Sequence, residues 1–126
     1  MPAPLIGVDL VEPDRLRDRL DRTAGLREML FTPGEVEYCD AQPDPAEHLA
    51  ARFCAKEAVV KALGLDGWDP VDIEVVGGGN SIELRLHGDV LRRAQDLRVR
   101  VTISMSHLPG MAVAVALASP NAENAF

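Results

Sequence analysis

Cysteine, lysine and excess positive charge are all scarce in this sequence. Its two cysteines, Cys39 and Cys54, make neither a disulfide framework nor a C-x-x-C metal-ligand spacing. Reduced thiols in a cytoplasmic protein are therefore the expectation. Lysine occurs twice against eleven arginines, and the net charge is −7. So acidic a chain has no broad electrostatic footprint for nucleic acid. No apolar run reaches the ~20 residues that a membrane helix needs. The start, MPAPLIGVDLVEPD, lacks a basic n-region and its apolar stretch is broken by Asp9, so it reads as a first strand and not as a signal peptide. Internal repeats and linkers are also missing.

What is present is an ordinary globular composition. The chain has 126 residues, 47% apolar and 26% charged, which suits one soluble domain and excludes a disordered tail. The expected domain covers 1–118, with 119–126 as a frayed end.

Residues 5–10 read as a short buried strand with Asp9 near its end. Pro13 suits the first turn of a helix over 14–22, with Leu16 and Leu20 at i, i+4. Thr32-Pro33-Gly34-Glu35 carries a capping-box signature, so a short helix through about Cys39 follows. Asp44-Pro45-Ala46-Glu47 repeats that logic ahead of the longest helix, 48–63, which Gly64 ends. Strands are expected over 72–76, 81–87, 99–105 and 111–118, the last buried on both faces, and a third short helix over 88–96. Residues 77–80 read as a flexible turn. The pattern is α+β: one long buried helix packed on a mostly antiparallel sheet.

That long helix is apolar or small nearly all round, yet Arg52, Lys56, Glu57 and Lys61 are set into it. Buried charge is costly unless paired or bound to a ligand. Two readings are open. Glu57 and Lys61, at i, i+4, are a surface ion pair, or the helix carries a mixed-charge site in which a carboxylate holds a divalent cation and nearby cations hold phosphate oxygens. His48 and His87 read as surface residues and Cys54 as packing.

The stretch His48-Leu-Ala-Ala-Arg52-Phe-Cys-Ala-Lys56-Glu57-Ala-Val-Val-Lys61-Ala62-Leu63-Gly64 resembles the signature helix of holo-acyl-carrier-protein synthases, within the 4′-phosphopantetheinyl transferase superfamily. Every fixed position of the pattern Arg-Phe-x-x-Lys-Glu-Ala-x-x-Lys-Ala is present. Gly7-Val8-Asp9-Leu10-Val11-Glu12 resembles the family's first motif, Asp72-Ile73-Glu74-Val75 the strand after the signature helix, and Ser104-Met105-Ser106-His107 its closing motif. Gly79-Asn80-Ser81 stands where the family has Gly-Lys/Arg-Pro, a loop that reaches coenzyme in a neighbouring subunit.

The resemblance implies a 4′-phosphopantetheinyl transferase-like fold and transfer of phosphopantetheine from coenzyme A to a serine of apo acyl carrier protein, releasing 3′,5′-ADP. It implies Asp9 and Glu57 as Mg²⁺ ligands, Lys61 on the diphosphate, and Arg52, Lys56 and His107 on the phosphates or adenosine end of the coenzyme. It also implies docking of an acidic carrier on Arg15, with Arg19 and Arg22 beside it, and a homotrimer with sites between subunits. The alternatives are a carrier- or coenzyme-binding module on the same scaffold, and a transferase dedicated to polyketide or peptide synthase carriers.

Overall fold

Capping and alternation decide where the elements fall in the computed structural model, which describes residues 5–121. Strand β1 is Leu5–Val11 and helix α1 is Pro13–Arg22, with proline in its first turn. A five-residue helix α2, Leu26–Leu30, follows. It was not expected, and it has no side-chain cap to announce it. Helix α3, Pro33–Asp40, opens on the full capping box: the Thr32 hydroxyl accepts from the Glu35 amide and the Glu35 carboxylate accepts from the Thr32 amide. Helix α4, Pro45–Leu63, begins one turn earlier than 48 because Asp44 caps the Glu47 amide and Pro45 suits the first turn. Gly64, in the left-handed region at φ 63°, ends it.

Asp72 belongs to a short 3₁₀ turn, Pro70–Asp72, and not to the strand. Strand β2 is Ile73–Gly78 and pairs antiparallel with β3, Ser81–Leu86. Gly77 and Gly78 are thus strand residues, opposite Ile82 and Ser81, and the turn shrinks to Gly79-Asn80. Helix α5 is Gly88–Leu97. Strand β4, Val99–Leu108, runs past Met105, which puts His107 on a strand opposite Ala112. Strand β5, Met111–Pro120, carries Ser119 and Pro120 in pairing with Arg100 and Val99. Ser119 and Pro120 are therefore ordered strand, and residues 122–126 of the expected frayed end lie outside the described residues.

The α+β expectation holds, with the strands divided into two antiparallel sheets, β1-β5-β4 and β2-β3. Helix α4 lies across β1 and β5. Strand β5 is buried on one face only: Ala112, Ala114, Ala116 and Ala118 point inward, while Met111, Val115 and Leu117 are exposed. Ala51, Cys54, Ala55, Ala58 and Ala62 form one buried stripe on α4, so helix and strands approach closely. Gly7 makes the closest approach: a Cβ there would stand 2.1 Å from the Ala58 carbonyl oxygen. That contact seats β1, and with it Asp9, directly against α4.

Candidate active site

β1 alternates, so Gly7 and Asp9 face α4 while Ile6, Val8 and Leu10 face away. The Asp9 carboxylate meets Lys61 Nζ at 3.0 Å, and the same ammonium donates to the Val8 carbonyl at 3.0 Å. Lys61 thus pairs across to the strand, and among the described residues no ion pair joins it to Glu57. The surface i, i+4 pair is not what forms.

Glu57 is half-buried beside this contact. Burial pushes its carboxyl above the ordinary range, the Asp9 charge adds to that, and Lys61 and Arg19 oppose it. A half-buried carboxyl whose ionisation a neighbouring carboxylate opposes is one that a divalent cation relieves. Among the described residues no three His, Cys, Asp or Glu side chains converge on a metal position. Mg²⁺ asks for less: one or two carboxylates, with waters and substrate phosphate oxygens completing its octahedron. The donor set Asp9 and Glu57 fits that ion.

Cys54 donates its thiol to the Asp9 carbonyl at 3.0 Å and is fully buried. Burial, with Asp9 adding, pushes the thiol up to about 12, so it stays protonated packing as expected. Cys39, also buried, is pushed up to about 11.

Arg19 brings α1 to the site. With Arg15, Glu12, Leu10, Phe53 and Met111 it lines a groove of about 280 Å³. Arg22 lies outside that groove and donates to the Asp18 carbonyl. The structure therefore brings Arg15 and Arg19 together on one groove, with Arg19 close enough to act on Glu57, and leaves Arg22 outside it.

Lys56 departs from the coenzyme-contact expectation. It is 0% exposed, and its three N–H donors go to Glu35 Oε1 at 2.8 Å, the Pro70 carbonyl at 2.8 Å and the Ile73 carbonyl. An ammonium has three donors, so none is left for a phosphate. Burial pulls this ammonium below its usual range, and Glu35 pulls it back up. Arg52 is 1% exposed; it donates to the Gly77 carbonyl, stacks over the Tyr38 ring at 4.3 Å, and keeps Nε without a partner. Tyr38 in turn fills the space where Gly78 lacks a Cβ.

His107 Nδ1 meets the Glu47 carboxylate, and its ring packs edge-on against His48 with centroids 4.7 Å apart. His48 is thus half-buried and not a free surface residue. Its position four residues before Arg52, on the same helix face, was the signal available in the sequence. Glu47 precedes Glu57 by ten residues, about 15 Å along the axis. The Glu47–His107 group and the Asp9–Glu57 group therefore occupy different ends of α4.

Comparison with known proteins shows the family. Residues 5–116 match the family model of the 4′-phosphopantetheinyl transferase superfamily. A holo-[acyl-carrier-protein] synthase of Geobacter sulfurreducens is 43% identical over 116 residues, covering 86% of this chain and 91% of that protein. One from Moorella thermoacetica is 41% identical, covering 88% and 90%. The solved complex of the Chronobacterium ammoniagenes synthase with coenzyme A superposes with a TM-score of 0.83 at 29% identity, covering 95% of this chain and 99% of that one. The chain belongs to the holo-acyl-carrier-protein synthases of the 4′-phosphopantetheinyl transferase superfamily.

Proposed function

We propose that this protein transfers the 4′-phosphopantetheine group of coenzyme A to a serine hydroxyl of apo acyl carrier protein and releases 3′,5′-ADP. The observation that carries this reading is Asp9, Glu57 and Lys61 gathered where β1 crosses α4. A relative at 43% identity bears the synthase name, and the Chronobacterium homologue holds coenzyme A.

Asp9 and Glu57 would hold Mg²⁺, and the ion when bound supplies the positive charge and template that a diphosphate needs. Lys61, now on Asp9, has the reach and charge to bind a diphosphate oxygen and stabilise the departing phosphate. Glu57, with its carboxyl held above the usual range, would accept the serine proton, directly or through a water. The serine oxygen forms the new bond to phosphorus, and the bond to the 3′,5′-ADP oxygen breaks. Arg52 and His107 would serve the phosphates or adenosine end. Arg15 and Arg19, rimming the neighbouring groove, would dock an acidic carrier, with Arg22 further out on the same helix. The assembly we propose is a homotrimer in the cytoplasm with sites between subunits. No helix among the described residues is long and apolar enough to cross a membrane.

The test is to incubate the protein with coenzyme A, Mg²⁺ and apo carrier protein and weigh the carrier. A gain of one phosphopantetheine is expected, and no gain with several carriers would leave only a binding module. Glu57→Gln and Asp9→Asn should each abolish turnover with an unchanged circular dichroism spectrum. Near wild-type rates at saturating Mg²⁺ would show the metal assignment to be wrong.

A further inference from the structure

Where α4 meets the sheet, Gly7 seats against Ala58, the Cys54 thiol lies within hydrogen-bond distance of the Asp9 and Ala112 carbonyls, and the rest of the contact is made by small side chains. The stripe Ala51, Cys54, Ala55, Ala58 and Ala62 faces Gly7 of β1 and the inward alanines 112, 114, 116 and 118 of β5. Apart from the Cys54 thiol, methyl groups on both sides give close approach but few interlocking shapes, and uniform packing specifies position poorly. Yet the chemistry requires Glu57 and Lys61 to meet Asp9, a residue on another element.

On its far side α4 carries a second contact that discriminates between positions, and this one is charged. Lys56 leaves the alanine stripe on one side, about 140° round the helix, and Lys61 leaves it on the other, about 80° round. Lys56 is held by three acceptors from three places: the Glu35 carboxylate of α3, the Pro70 carbonyl of the 3₁₀ turn and the Ile73 carbonyl of β2. Glu35 is itself fixed, since Oε1 also accepts from the Thr32 amide and Oε2 accepts from the Val75 amide at 3.0 Å. Both side chains are fully buried. A sliding or turning helix would leave an ammonium or a carboxylate uncompensated in the interior, which is strongly unfavourable.

We propose that the buried Lys56–Glu35 pair is a register pin of α4, a positioning device that acts with the Gly7 and Cys54 contacts to set Glu57 and Lys61 opposite Asp9. Lys56 serves catalysis from inside the fold and without touching the coenzyme. The proposal rests on the transferase reading above. It predicts that stability and turnover can be separated, because a buried pair can be replaced by apolar groups that restore packing without restoring positional discrimination.

The experiment compares Lys56→Met, Glu35→Leu and the double variant with the wild-type protein. Each single variant leaves one buried charge alone and should melt roughly 10–20 °C lower. The double variant should recover most of that loss. Its kcat should nevertheless stay down by about a hundredfold, the order that a misplacement near 1 Å costs. Its KM for coenzyme A should stay within about threefold of wild type, since uniform binding is not what was removed. Amide exchange along residues 45–63 should be faster in the double variant than in wild type at matched stability.

A double variant that regains both melting temperature and kcat would reduce the pair to structure alone and overturn the proposal. So would a raised coenzyme KM in Lys56→Met with none in Glu35→Leu, which would make Lys56 a coenzyme contact. Failure of the transferase reading would show separately, as a wild-type protein that adds no phosphopantetheine to any carrier.

Discussion

Lys61 holds the carboxylate of Asp9 and the carbonyl of Val8 while half its side chain remains in solvent. An exposed ion pair of this kind contributes little to stability, so the side chain can be drawn to a phosphate at small cost. Its charge also lowers the Glu57 carboxyl, against burial and Asp9, which raise it. Two consequences follow from one substitution. Lys61→Ala should lower kcat by about 10²–10³-fold, the usual effect of deleting a group that stabilises developing charge, with a smaller change in the coenzyme KM. It should also move the acid limb of the pH–rate profile to higher pH, because Glu57 then keeps its proton further up the scale. Steady-state kinetics across pH checks both, and a KM increase at unchanged kcat would make Lys61 a binding residue only.

At the scale of elements, α1 is the piece that joins the site to its surroundings. Its Arg15 and Arg19 rim the groove beside Phe53, and Arg19 acts on Glu57. If this face docks an acidic carrier, Arg15→Glu should raise the carrier KM, and added salt should weaken the wild-type reaction in the same direction, since exposed charges act over about 8–10 Å at physiological ionic strength. Coenzyme affinity measured by titration without carrier should not move; a joint loss of both affinities would end the docking role. The elements themselves were largely legible in the sequence. Caps wrote the ends of α3 and α4, and alternation wrote β3 and most of β4. What was not legible depended on distant partners. Gly77 and Gly78 look like a turn, yet Arg52 holds the Gly77 carbonyl and Tyr38 packs on Gly78, so they stay in the strand. Lys56 and Glu35 are 21 residues apart, and spacing on one helix could not reveal that they meet. The signature helix told which residues carry charge; the fold decided that Lys56 spends its charge inside.

On the scale of the whole molecule, the sheet β1-β5-β4 has one covered face and one open one. Ile6 and Leu10 are 69% and 62% exposed, and cross-strand pairing puts Ile6 beside Leu117 and Val8 beside Val115. The same face continues on β4 as Thr102, Ser104 and Ser106. A contiguous apolar patch across two paired strands is unusual on a monomer and marks a contact surface. The trimer proposed above would cover it, with the Asp9 site on the opposite side of β1 carried to the subunit boundary. Light scattering should then give three times the 13.6 kDa chain mass. Val8→Asp places a carboxylate in the middle of the patch and should dissociate the assembly, since a buried unpaired charge costs several kcal/mol. Met29→Asp, at another exposed apolar site, on α2 and not on the sheet, should leave the mass unchanged. Val8 does not face α4, so in a monomeric enzyme its substitution would spare turnover. In the interface-site arrangement Val8→Asp loses turnover together with the trimer, and a fully active monomeric variant would show that each chain holds a complete site by itself.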